Sequence, residues 1–116
     1  MGPVIIAIPI LLVFFLSGCS VSKPLYQWGE YEDLVYDMYV KPGEADPATQ
    51  VAKLTEDIQK MHDAGYQAPP GIHAHLGYMQ YLQGNAGVAI TEFEIGKTLY
   101  PESSVFIDGL IRRLGK

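Results

Sequence analysis

Cysteine occurs once in this 116-residue chain, at Cys19. No internal disulfide can form, so any folded domain must stand on its apolar core. Basic residues are also few. Eight Lys and Arg stand against thirteen Asp and Glu, a formal net charge of −5. That balance argues against nucleic acid and against docking on an anionic lipid surface, both of which need basic patches. Long hydrophobic runs are missing. The apolar stretch Val4 to Leu16 is 13 residues, too short to cross a hydrocarbon core of about 30 Å as a helix. No segment alternates with the two-residue period of a half-buried strand. Met1-Gly2-Pro3 also lacks the Lys or Arg that usually precedes the apolar run of a signal.

The apolar stretch leads into Leu16-Ser17-Gly18-Cys19. Its length and the small residues at its end fit a secretory signal, and the tetrad resembles a bacterial lipobox. That resemblance implies cleavage between Gly18 and Cys19 and diacylglyceryl transfer to the Cys19 thiol. Two or three acyl chains, at about 0.8 kcal/mol per buried CH₂, attach stably where one would be marginal. An unpaired cysteine is ordinarily a small buried hydrophobe, but Ser20-Val21-Ser22-Lys23-Pro24 reads as a polar tether. An uncleaved N-terminal anchor is the alternative. By analogy with lipoprotein sorting, Ser20 after the modified cysteine implies the periplasmic face of the outer membrane. The expected organisation is a signal over 1–18, a lipidated tether over 19–25 and one helical domain over 26–116.

Five helices are expected in that domain. Tyr26 to Val40 carries Trp28, Tyr31, Val35 and Met38 at 3-4-3 spacing, one stripe of a helix, and Lys41-Pro42-Gly43 ends it. Asp46 is the N-cap of the second helix and Pro47 its first residue. Val51, Leu54, Ile58 and Met61 form its stripe, with Glu56, Asp57 and Asp63 toward solvent and Ala64-Gly65 as the stop. The third runs from Gly71 to Gln83 with Ile72, Leu76 and Met79 on one side. The fourth, Ala86 to Leu99, packs through Ala89, Ile90, Phe93 and Gly96. Ser103 or Ser104 caps a fifth through Val105, Phe106, Leu110, Ile111 and Leu114. Short connectors make this an all-α array of antiparallel hairpins.

Pro70 to Ser104 resembles one tetratricopeptide repeat, a helix-turn-helix unit of about 34 residues. Leu76-Gly77, Ala89, Phe93 and Pro101 fall on its Leu-Gly pair, small contact position, aromatic and closing proline when Gly84 is set on the turn. Gln80 and Gly96 depart from a usual Tyr and Ala. A single repeat cannot bury its own face, so the first two helices would form a degenerate partner hairpin. An irregular five-helix bundle is the alternative. Three blocks, Tyr26-x-Trp28-Gly29-x-Tyr31-Glu32, Pro69-Pro70-Gly71-Ile72-His73-Ala74-His75-Leu76-Gly77-Tyr78 and Tyr100-Pro101-Glu102-Ser103, resemble a family of small Gram-negative lipoproteins classed only as a domain of unknown function. The family's genes commonly lie beside those of a curli-secretion-type lipoprotein and another small lipoprotein, which implies a shared envelope assembly. No catalytic residue carries over.

Chemistry is hard to place. His73 and His75, two apart on a helix, point about 200° from each other and cannot share a metal ion; inter-helix hydrogen bonding is the expected role. The serines flank the processing site or a helix start, outside any nucleophile elbow. Glu30/Glu32 and Glu92/Glu94 do not converge, and Gly84-Asn85-Ala86-Gly87 lacks the Lys-Ser/Thr of a phosphate loop. No metal, cofactor or catalytic residue is therefore expected.

Eight tyrosines are the strongest lead. Core packing accounts for Trp28, Tyr31 and Tyr78, while Tyr36, Tyr39 and Tyr81 fall off their helices' stripes. Exposed tyrosine beside acidic side chains suits a protein-binding surface. Trp28, Tyr31, Tyr36, Tyr39 and Tyr81 are thus the candidate partner-binding residues. The expected function is a non-enzymatic, lipid-anchored adaptor that binds another envelope protein, possibly a second lipoprotein. A structural lipoprotein on peptidoglycan and a small hydrolase or enzyme accessory using His73 or His75 are the alternatives.

Overall fold

The computed structural model of the protein describes residues 22–41 and 43–116. The signal segment, Gly18 and Cys19 lie outside the described residues. Among the described residues five α-helices follow one another: α1 Tyr31–Val40, α2 Pro47–Asp63, α3 Ile72–Leu82, α4 Ala86–Leu99 and α5 Ser104–Leu114, with a 3-10 turn Pro101–Ser103 before the last. No strand occurs among the described residues, and none of their helices is long and apolar enough to cross a membrane.

Local chemistry sets most of these bounds. Asp46 accepts hydrogen bonds from the backbone N–H of Ala48 (2.9 Å) and Thr49 (3.1 Å). Pro47 loses nothing at the first helical position, where its missing N–H would have no partner. Successive helices are antiparallel. The Gln83 side chain at the end of α3 reaches the Pro47 carbonyl at the start of α2. In the next hairpin, Gly77 faces Ala89 and Phe93 while Gly96 faces His73 and Ala74. The α3–α4 hairpin is the tightest part of the fold. A Cβ on Gly77 would stand 2.8 Å from Phe93 Cε1 and 2.9 Å from the Ala89 carbonyl oxygen, distances real side chains do not tolerate.

Two core clusters result. Leu34, Leu54, Met61, Ala68, Ile72 and Leu76 join α1, α2 and α3. Ala89, Phe93 and Ile107 join α4 to α5, with Ala74, Tyr81, Leu110, Ile111 and Leu114 against them. Lys97 adds an ion pair from α4 to Asp108 on α5 at 3.1 Å.

Several sequence expectations need correction. The first helix begins at Tyr31 rather than Tyr26, because Gly29 takes a left-handed φ of 55° and breaks the run. Residues 22–30 instead form an extended strap, and Leu34, absent from the expected stripe, is the buried residue of α1. Asp57 is buried, not solvated, and accepts the Glu30 backbone N–H at 2.7 Å. Ile90 is exposed because α4 packs through Ala89, Phe93 and Gly96, one step around the helix. Neither Ser103 nor Ser104 caps α5 with its side chain; both hydroxyls donate backward, to the Tyr100 and Pro101 carbonyls. The 3-10 turn also shifts the phase of α5. Ile107 is its buried residue, while Val105 and Phe106 point outward.

Candidate functional site

Alternating antiparallel helices leave α1, α3 and α5 running in the same sense, and a groove opens where these three face one another. Its volume is about 580 Å³. Tyr31, Val35, Met38 and Tyr39 of α1 form one wall, and Phe106, Leu110 and Arg113 of α5 the other. The floor is Gly71 with Ala74, His75, Tyr78 and Met79 of α3. The outward phase of α5 is what puts Phe106 here, 63% exposed, opposite Tyr39, 77% exposed.

The α1 wall is held by rings rather than by close backbone packing. Tyr100, Tyr26, Trp28, Tyr31 and His75 follow one another with centroid separations of 6.4, 6.1, 6.1 and 5.6 Å. Trp28 stacks on Tyr31 and the other contacts are edge-on, the geometries that ring quadrupoles favour. Lys23 at the head of the strap sits over the Tyr66 ring, 4.1 Å from its centroid. Tyr100 donates to the Ala68 carbonyl at 2.6 Å; burial first, and then Tyr26, push its pKa up to about 12. Burial likewise raises the pKa of Tyr31.

The floor has a fixed hydrogen-bond direction. Gln50 is buried, and its Nε2 donates to the Ala45 carbonyl at 2.6 Å, so its Oε1 must accept. His75 Nε2 lies 2.6 Å from that oxygen and therefore carries the proton. Burial lowers the His75 pKa and keeps the imidazole neutral, which leaves Nδ1 as an acceptor. His73 faces the opposite side of α3, its Nδ1 2.7 Å from Glu92 Oε2 on α4. Both histidines thus bond between helices, in directions too different to serve one centre. Among the described residues no three His, Cys, Asp or Glu side chains gather as a metal would require.

The candidate aromatics separate. Tyr31 and Tyr39 line the groove, while Trp28 backs Tyr31 from the strap and is 39% exposed rather than core. Tyr36 is exposed on another side of α1, beside Asp33, Asp37 and Lys41. Tyr81 is half-buried against the α4–α5 cluster, not exposed. Tyr78, expected in the core, is exposed in the groove. Sequence reasoning missed Phe106 and Arg113 as groove residues. Correct phasing of α5 from the Pro101 turn would have found them.

A family profile described as a domain of unknown function, DUF4810, matches residues 25–110. The chain belongs to that family. The DUF4810 match begins in the strap and ends part-way along α5, so it reaches every element that builds the groove but stops short of Arg113. No curated protein and no solved structure matches this DUF4810 chain.

Proposed function

We propose that this chain is a lipid-anchored helical adaptor on the periplasmic face of the outer membrane, whose groove holds a segment of another envelope protein such as a second lipoprotein. One observation carries the binding role. Tyr39, Tyr78 and Phe106 from three different helices expose large apolar side chains around a single groove, and side chains of this kind supply most of the energy at protein interfaces. The Leu16-Ser17-Gly18-Cys19 tetrad supports the anchor. The two histidines are committed to Gln50 and Glu92, which favours binding over hydrolysis.

A photo-crosslinking residue placed in cells at Tyr39, Tyr78 or Phe106 tests the adaptor role, with Glu56 and Thr91 as exposed positions outside the groove. Discrete protein adducts from the groove positions alone are expected. Their absence would sink the role, and co-sedimentation with purified sacculi would move the reading to a peptidoglycan-contacting lipoprotein. The anchor is tested separately. Globomycin should arrest a larger precursor and palmitate should label the product; an unchanged size and no label would remove it.

A further inference from the structure

The groove walls are mostly apolar, yet among the described residues one cation, Arg113, enters it. Lys41, Lys53, Lys60 and Lys97 each have a carboxylate within 3.6 Å or closer. Arg112, Arg113 and Lys116 at the end of α5 have no ion-pair partner among the described residues, although the chain carries a net charge of −5. Proximity to the negative end of α5 accounts for basic residues in that turn. It does not account for Arg113 lining the groove, where no Asp or Glu accompanies it. The backbone groups of α1, α3 and α5 are used within their own helices, so the groove offers no ladder to an extended strand. An extended peptide would bury unpaired N–H and C=O groups there, at a cost a helix avoids by bonding to itself.

We propose that the groove receives an amphipathic helix of the partner, apolar side inward, with an Asp or Glu paired to the guanidinium of Arg113. This rests on the adaptor reading and adds the chemistry of the occupant. The floor helix has 11 residues, about 16 Å at 1.5 Å per residue, so about three turns of partner helix fit along it. Apolar residues at i, i+3 or i+4, and i+7 would meet Tyr39, Tyr78 and Phe106, in the manner of other helix-in-groove interactions.

The test uses the full-length chain in cells with the crosslinking residue at Phe106 or Tyr78, and peptide mass spectrometry of the adduct. The crosslinked partner peptide should show that apolar spacing and carry an acidic residue within a turn of it. Arg113→Glu should lower adduct yield about tenfold, equivalent to about 1.4 kcal/mol, as like charge is placed against the partner's carboxylate. Arg113→Lys should keep much of the yield, and reversing the partner's acidic residue to Lys should restore it in the Arg113→Glu background. Thermal unfolding of each variant, unchanged for this exposed position, separates binding from folding. A protein adduct without an acidic residue, or one indifferent to Arg113→Glu, overturns the proposal while the adaptor role stands. Adducts only to lipid or to a second copy of the chain overturn it as well. If no groove adduct forms at all, the adaptor role falls with it.

Discussion

The floor of the groove, backed by α4, and its α1 wall are built by different physics. The α3–α4 hairpin is closed by shape: a glycine at 77 admits the Phe93 ring and the Ala89 carbonyl to distances that no side chain would allow. The α1 wall is closed by a string of rings, by one core side chain, Leu34, and by one buried carboxylate, Asp57, bonded to the Glu30 N–H. Interlocking of the first kind is all-or-none, because a void or an extra methyl is felt at once. Ring contacts and a single hydrogen bond, each of order 1 kcal/mol, can loosen without unfolding the rest. The floor and the α5 wall therefore define the site, and the α1 wall is the adjustable one.

Phe93→Ala attacks the rigid side hardest. It empties the centre of the α4–α5 cluster and should cost about 3–5 kcal/mol in urea unfolding. A cost near zero would mean the hairpin is not closed by shape. Gly77→Ala should cost about 1–3 kcal/mol through overpacking, despite the gain in helix propensity of about 1 kcal/mol from losing a glycine. A stabilised variant would show that the hairpin can slide.

On the adjustable side, Asp57→Ala leaves the Glu30 N–H without its acceptor. The expected loss in global stability is about 1 kcal/mol, but hydrogen exchange should speed selectively in residues 30–40 while Ile72–Leu82 stays protected. Equal acceleration of both segments would erase the distinction between the two sides.

The smallest effect concerns pH. Burial holds the His75 pKa below its ordinary value, so the unfolded chain, with a histidine near 6.5, binds a proton the folded chain resists. The stability this contributes is complete above about pH 6.5 and is lost as pH falls from there through the folded pKa. Urea unfolding at pH 7.5 and pH 5.5 should show a steeper loss for the native chain than for His75→Gln. Parallel slopes would remove the histidine from the account.

How far the sequence could be read follows the same division. The α2, α3 and α4 bounds were legible because strong local punctuation fixes them: Asp46-Pro47 at a start, Gly65 and Gly84 at stops, Pro101 at a close. The first helix was not. Trp28 keeps helical spacing with Tyr31, Val35 and Met38 across Gly29, while the left-handed Gly29 and the tertiary bond to Asp57, 27 residues away, make the chain turn there. Asp57 looked solvated for the same reason, since its partner belongs to the strap and not to its own helix. On α5, one 3-10 turn moved burial from Val105 and Phe106 to Ile107 and carried Phe106 into the groove. Composition drew attention to tyrosine, and two of the tyrosines it singled out, Tyr31 and Tyr39, line the groove. The groove position of Tyr78 was not legible, because a site shared by three helices has no single periodicity.

The grip of Tyr66 on Lys23 also governs distance. With the acyl chains on Cys19, as proposed, only four residues of chain lead from the lipid to that ring contact, a leash of at most about 14 Å. While that contact, worth about 1 kcal/mol, is made, the bundle would ride close to the leaflet. Breaking it would lengthen the leash, so a weak ring contact would set how far from the lipid the groove can reach.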